Sequence, residues 1–165
     1  MRRARLLIWA LSVLMASPWL SGCPEMHPPP GSDVEVEVVL GTHVQWKRQP
    51  DDFVVLEEGG ELPIVLGHQG VWMVVLALRS DQRLEGPLDL VIGIEAAGAL
   101  LGELQLVEQE LDRELDGRDY LYDIWLIVAD PSLSTYEAQI SAELRDATGL
   151  EMTLELTLVL SGGLD

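Results

Sequence analysis

The sequence predicts an all-β domain, a two-sheet antiparallel sandwich of about eight short strands, and three patterns carry that reading. From Leu150 to Leu160, apolar residues alternate with Glu151, Thr153, Glu155, Thr157 and Val159, a period of two that puts the leucines and Met152 on one face of a strand. Ala138, Ile140, Ala142 and Leu144 alternate in the same way with Glu137, Gln139, Ser141, Glu143 and Arg145, and Asp146-Ala147-Thr148-Gly149 between the two runs is turn chemistry. Val71 to Leu78 is apolar at every position, as a strand covered on both faces must be.

The other elements follow in chain order. Val34-Glu35-Val36-Glu37-Val38 alternates valine with glutamate, and Val39-Leu40 breaks the phase, which predicts a bulge or the end of the strand. Val44 and Trp46 continue an alternation with His43, Gln45 and Lys47. Phe53 to Leu56 and Ile64 to Leu66 are short apolar runs, and Pro63 marks the second as an edge strand. Leu88, Leu90, Ile92 and Ile94 share a face. Leu104, Val107, Leu111 and Leu115 lie at helical spacing, yet Leu104 and Leu106 also fit a strand; the expectation is a strand over 102–108 and a loop or one helical turn over 109–117. Tyr120, Tyr122, Ile124, Leu126 and Val128 form one face of a further strand. In the C-terminal hairpin, setting Leu144 opposite Met152 also sets Arg145 opposite Glu151, whereas the register Leu144–Leu150 sets Glu143 against Glu151. The first register is favoured by a few tenths of a kcal/mol. It buries Leu154 and Leu156 and exposes Thr153 and Glu155. Trp72 and Trp125 are expected to fill core, and Trp46 to be partly exposed.

The segment from Asp130 to Tyr136, entering the penultimate strand, resembles the tyrosine corner of immunoglobulin-like domains, which implies an immunoglobulin-like sandwich. Ala138 stands where antibody domains carry a cysteine.

The first residues follow a different logic. Met1-Arg2-Arg3-Ala4-Arg5 is positively charged, Leu6 to Leu20 is apolar and uncharged, and Ser21 and Gly22 are small, the order of a signal peptide. The apolar run is shorter than the about 20 residues a spanning helix needs. Leu20-Ser21-Gly22-Cys23 resembles the lipobox of bacterial lipoproteins. The resemblance implies a diacylglycerol on the Cys23 thiol, cleavage before it, and a chain divided into a signal peptide (1–22), a lipidated tether (23–33) and a sandwich domain (34–165). It also implies a place in the cell envelope. Pro24 follows the cysteine where an aspartate would retain an enteric lipoprotein at the inner membrane, so the outer membrane is expected in a cell that has one. The tether holds three consecutive prolines, a polyproline spacer.

Cys23 is the single cysteine, so a lipidated chain has no thiol for a disulfide, a thiolate metal site or a nucleophile. Loss of residues 1–22 removes Arg2, Arg3 and Arg5 and leaves seven basic residues against 28 acids, a balance of −21. Such a surface repels nucleic acid and anionic head groups, so attachment to a membrane falls to the lipid on Cys23, and the partners left open are cations and proteins.

Candidate sites are few. Asp112, Glu114, Asp116, Gly117 and Asp123 fall at positions 1, 3, 5, 6 and 12 of the EF-hand calcium loop. Glutamate at position 3, Asp119 at position 8, the short Asp123 at position 12 and the strand pattern that follows all depart from it, and a solvated acidic loop is the other reading. His43 and His68 each follow a glycine and, near Asp51 or Asp52, form a candidate zinc set. Trp46, Lys47 and Arg48 form a candidate partner-contact patch, an aromatic beside the one adjacent basic pair of the exported chain. No nucleophile elbow, zinc-protease motif or phosphate loop occurs, and Glu57-Glu58 are neighbours that do not converge on one substrate. The expected function is therefore that of a non-enzymatic interaction or structural module on a lipid anchor, with no cofactor; the alternative is a domain binding calcium or another small ligand. Cys23→Ser is expected to abolish incorporation of a clickable fatty acid, and label retained on the serine variant contradicts the lipobox reading.

Overall fold

The computed structural model describes residues 36–43, 47–129 and 135–162. The strands are β1 (Val38–His43), β2 (Phe53–Val55), β3 (Glu61–Leu66), β4 (Trp72–Ser80), β5 (Leu88–Ala96), β6 (Ala99–Gln109), β7 (Asp112–Arg113), β8 (Asp119–Ile127), β9 (Tyr136–Arg145) and β10 (Glu151–Gly162). A single turn of 3₁₀-helix, Pro50–Asp52, precedes β2.

These strands form the expected sandwich. One sheet contains β2, β1, β4, β8 and β7; the other contains β10, β9, β5 and β6. β3 belongs to both. Its first half pairs with β10 (Leu62 with Leu160), and its end pairs with β4 (Val65 with Met73). The order β3-β4-β8-β7 facing β6-β5-β9-β10 is the immunoglobulin arrangement A-B-E-D against C′-C-F-G. One detail departs from a purely antiparallel sandwich: β3 runs parallel to β10. Pro63, which has no N–H to give, sits in the half of β3 that is paired on one side only.

The C-terminal hairpin has the register its charges favour, with Met152 opposite Leu144 and Glu151 opposite Arg145. Its turn is held by one carboxylate. Asp146 Oδ1 accepts from the amides of Thr148 (2.9 Å) and Leu150 (2.9 Å) and from the Thr148 hydroxyl (2.7 Å). Burial pushes the Asp146 pKa up, but these hydrogen bonds outweigh it and hold the carboxyl below its usual range. β5 and β6 are joined by Ala97-Gly98, both at positive φ (50° and 77°), the primed two-residue turn that fits the strand twist.

No helical turn forms over 109–117. β6 runs on to Gln109 past a bulge, where Glu108 takes a φ of 52° and donates its amide to Asp89 Oδ1 (2.8 Å). The helical spacing marks no shared face: Leu104 and Leu111 pack against the core, whereas Val107 and Leu115 are exposed. The first strand is also shifted from expectation. It begins at Val38, and Val39-Leu40 continue the ladder with β4 and do not end it; Val34, Glu35, Val44 and Trp46 lie outside the described residues.

A second bulge has larger consequences. Leu76 pairs with Ile124 and Leu78 with Leu121, so Tyr122 and Asp123 together stand opposite Ala77, with Asp123 at φ 57°. The phase of β8 therefore reverses at this point. Leu121, Ile124, Leu126 and Val128 enter the core between the sheets, while Tyr120 and Tyr122 pack outside it with Ala77 and Phe53. The single face expected from Tyr120 to Val128 is thus two faces. Trp125 moves outward with the flip and is 43% exposed, and Trp72 is half-buried against the core.

The far side of the sandwich closes where β6 meets β8. A side chain at Gly102 would run into the carbonyl oxygen of Ile127, and Ala129 donates its amide to the Leu101 carbonyl at 2.8 Å. The core itself is aliphatic, with Ile64, Leu76, Ile92, Leu126 and Ile140 excluded from solvent. Leu158 and Leu160 are fully buried, but Leu154 and Leu156, expected to be buried as well, are half-buried. β3 begins its ladder with β10 only at Val159, so among the described residues no strand covers the first half of β10 on that side. Leu158→Ala is expected to cost about 2–5 kcal/mol of stability, Leu154→Ala and Leu156→Ala less than Leu158→Ala, and Thr153→Ala under about 1 kcal/mol. Denaturant titration ranks the four, and equal costs at Leu158 and Thr153 contradict the assigned faces.

Candidate functional site

Two places on the first sheet gather chemistry. The first is built on the end of β1. His43 closes that strand with its side chain wholly buried. Its Nε2 lies 3.1 Å from Asp123 Oδ1, and its Nδ1 lies 4.0 Å from Asp52 Oδ2. Asp123 reaches it because the β8 bulge adds a residue there, and Asp52 because the 3₁₀ turn folds back: Asp52 Oδ2 also accepts the Lys47 amide at 3.0 Å. Arg48, at φ 47°, caps the group by donating Nε and Nη2 to Asp123 Oδ2. The Tyr122 ring meets the imidazole edge-on, with centroids 6.1 Å apart. A histidine between two carboxylates is an arrangement used to orient a general base, but this ring presents no face to a substrate. Its evident work is to fasten the 47–52 loop to the sheet.

Beside it lies an aromatic layer. Tyr120 and Tyr122 stack in parallel at 5.3 Å, Phe53 meets Tyr120 edge-on at 5.5 Å, and the Arg79 guanidinium sits 5.2 Å above the Phe53 ring. The Tyr120 hydroxyl donates to Asp116 Oδ2 at 2.7 Å. Burial, with that carboxylate close by, pushes the Tyr120 pKa up to about 12. Burial raises Tyr122 further, aided by the negative charge of Glu114, and burial also raises Tyr136.

The candidate calcium ligands do not converge. Asp112 is an exposed residue of β7 opposite Tyr120, and Glu114 to Gly117 is the turn of the β7–β8 hairpin. Asp116 is engaged by Tyr120 and by the Arg118 amide (3.1 Å), and Asp123 by His43 and Arg48. A strand follows the loop where an EF-hand has a helix. The acidity is met locally by Arg113 on Asp119 (2.8 Å) and Arg118 on Asp81 (2.8 Å). The zinc set fares likewise. His43 is spoken for by Asp52 and Asp123, while His68 is exposed in the β3–β4 turn. Among the described residues no group of three or more His, Cys, Asp or Glu is arranged to hold a metal ion. Of the Trp46-Lys47-Arg48 patch, Trp46 lies outside the described residues, Arg48 is tied to Asp123, and Lys47 is exposed.

The second place went unnoticed in the sequence. Val65, Leu66, Gly67 and His68, from the end of β3 and its turn, join Met73 of β4 and Trp125 of β8 around a mostly apolar hollow of about 500 Å³. Leu66 is 59% exposed. Ile127, which shares the outward phase of Trp125 on β8, is also exposed. The signal for this hollow is the β8 bulge, which a strict period of two conceals.

No protein-family model and no curated protein matches the chain. Among solved structures it is similar to the crystal structure of CopC from Methylosinus trichosporium OB3b, at 11% identity over 66% of this chain and 89% of that one, with a TM-score of 0.35. A likeness of that size assigns the chain to no family.

The tyrosines give a direct check. A phenol whose pKa is raised in the fold contributes stability that is present below its unfolded value of about 10 and is lost as pH rises through the folded value. The folded protein is therefore expected to show less tyrosinate absorbance near pH 10 than the unfolded chain, and Tyr120 to ionise near 12. In denaturant all three tyrosines should titrate near the ordinary value. A full step near pH 10 in the folded protein contradicts the buried aromatic layer.

Proposed function

We propose that the protein is a non-enzymatic module of the cell envelope, anchored by lipid at Cys23, that holds a protein partner on the outer face of its first sheet. The observation that carries this reading is the hollow around Trp125. Tryptophan and methionine beside an exposed leucine are the composition of interface centres. They are out of place on a surface whose exported chain carries a balance of −21. The N-terminal charge, apolar run and Leu20-Ser21-Gly22-Cys23 support the anchor, and the proline-rich tether supports display of the domain away from the bilayer. The acidic surface favours a partner with basic residues around an apolar anchor side chain.

A second reading rests on the same hollow. Its volume, about 500 Å³, lies within the roughly 300–1,000 Å³ of small-ligand sites. A photo-crosslinking residue placed at Leu66 separates the two in intact envelopes. Adducts of protein mass that vanish in Trp125→Ala support a protein partner. Adducts of small mass favour the ligand, and adducts equal to those from a crosslinker at exposed Val107 contradict both. With the partner in hand, Trp125→Ala is expected to weaken affinity by about 2 kcal/mol, about 30-fold, if Trp125 is a binding hot spot.

A further inference from the structure

Among the described residues, the seam between β1 and the first half of β10 stands open. Backbone groups alternate along a strand with period two, and in β10 the odd-numbered residues direct theirs away from β9. The Thr157 amide donates to Glu58 Oε2 (2.9 Å), the Thr157 carbonyl accepts from Gly59 (2.7 Å), and the Val159 amide donates to the Gly60 carbonyl (2.8 Å). By the same phase Thr153 and Glu155 present N–H and C=O to the same side. Among the described residues no strand pairs with them there, because β3 joins β10 only from Val159 onward. Facing this edge is the chain at Val36–Val38, and between the two lies a hollow of about 600 Å³. Its apolar lining includes Val36, Met152 and Leu154, all half-buried against the core. Its outer side is mainly acidic: Glu155 and Glu151 on β10, the latter 3.8 Å from Arg145, and Glu143 directly opposite Thr153 on β9.

We propose that this open edge accepts an extended peptide from a partner protein as an added strand, one whose apolar residues alternate with lysine or arginine. The geometry supplies each part. Ladder groups that no described strand pairs supply the main-chain hydrogen bonds of strand addition. The period of two sends alternate side chains of the incoming strand onto Met152 and Leu154, and the others beside Glu151 and Glu155, with Glu143 one strand farther away. Opposite charges on neighbouring strands stabilise, and like charges directly opposed destabilise. That rule disfavours a second copy of this chain, whose own Glu151 and Glu155 would meet those of the first. It also disfavours the chain's own residues before Val36, which bring Asp33 and Glu35. The site shares no residue with the Trp125 hollow, so it stands or falls independently of the function proposed above.

The test is fluorescence anisotropy on the purified protein, N-terminal segment included, with labelled peptides of about seven residues, enough to span the open edge at about 3.3 Å per residue. Three probes are compared: alternating valine and lysine, the same composition in two blocks, and alternating valine and glutamate. The alternating lysine peptide is expected to bind at least about tenfold tighter than either of the others. Thr153→Pro removes the outward amide without touching the β9 ladder and is expected to lower that affinity by at least about tenfold; Thr153→Ala is expected to leave it unchanged. Circular dichroism establishes whether Thr153→Pro folds. If it does not, the double variant Glu151→Lys/Glu155→Lys carries the test and is expected to reverse the preference toward the glutamate peptide. Equal binding of the blocked peptide shows attraction of charge alone and overturns the proposal, as does equal binding of the glutamate peptide or binding of none. A dimer that Thr153→Pro dissolves, or binding that appears only after residues up to 35 are removed, assigns the edge to a second copy or to the chain itself and overturns it equally.

Discussion

Asp123 sits at a φ of 57°, a conformation that costs a residue with a Cβ some energy, although aspartate tolerates it better than most. At this position the strain has a return on both sides of the sheet. With two residues of β8 set against Ala77 of β4, the second half of the strand keeps its aliphatic side chains in the core while the first half turns its tyrosines outward. The extra residue also brings the Asp123 carboxylate to His43 and Arg48, which fastens the loop before β2 across the aromatic layer. Without the bulge, the outward tyrosines and the outward Trp125 could not share β8 with a second half that keeps Ile124 and Leu126 in the core.

The sandwich has no disulfide to close its edges, and it closes them by two different means. On one side β6 approaches β8 so tightly that Gly102 has no room for a side chain. On the other side β3 crosses from one sheet to the other, parallel to β10 and then antiparallel to β4. A strand of six residues spans only part of that side. The half it leaves uncovered explains why Leu154 and Leu156 are half-buried where Leu158 and Leu160 are sealed, and it creates the seam beside Val36–Val38.

Acidity plays a different part in different places. Asp146 and Asp119 are buried and accept backbone amides, the first within its own turn and the second from Leu84 at 3.0 Å, so they hold loops and do not bind ligands. Asp116 and Asp81 are met by Arg118. On the outer face of β9 and β10, Glu151 is met by Arg145 across the hairpin, and Glu143 and Glu155 add to the negative character of that face.

The sequence by itself determined the all-β class, the central strand from its continuous apolar run at Val71–Leu78, and the C-terminal hairpin and its register from an unbroken period of two. In the hairpin one face must be buried, and only one phase buries it. It also held the N-terminal pattern on which the proposed lipid anchor rests. Only the tertiary structure decided the rest. Bulges at Glu108 and Asp123 shift the phase within a strand, so a pattern read across them blends two faces into one. The apparent core position of Trp125 comes from that blending. Likewise the acids spaced like a calcium loop are divided by strand pairing, because spacing along a chain measures contour and not direction. His43, a loop residue by its neighbours, is buried by partners that the sequence places nine and eighty positions away.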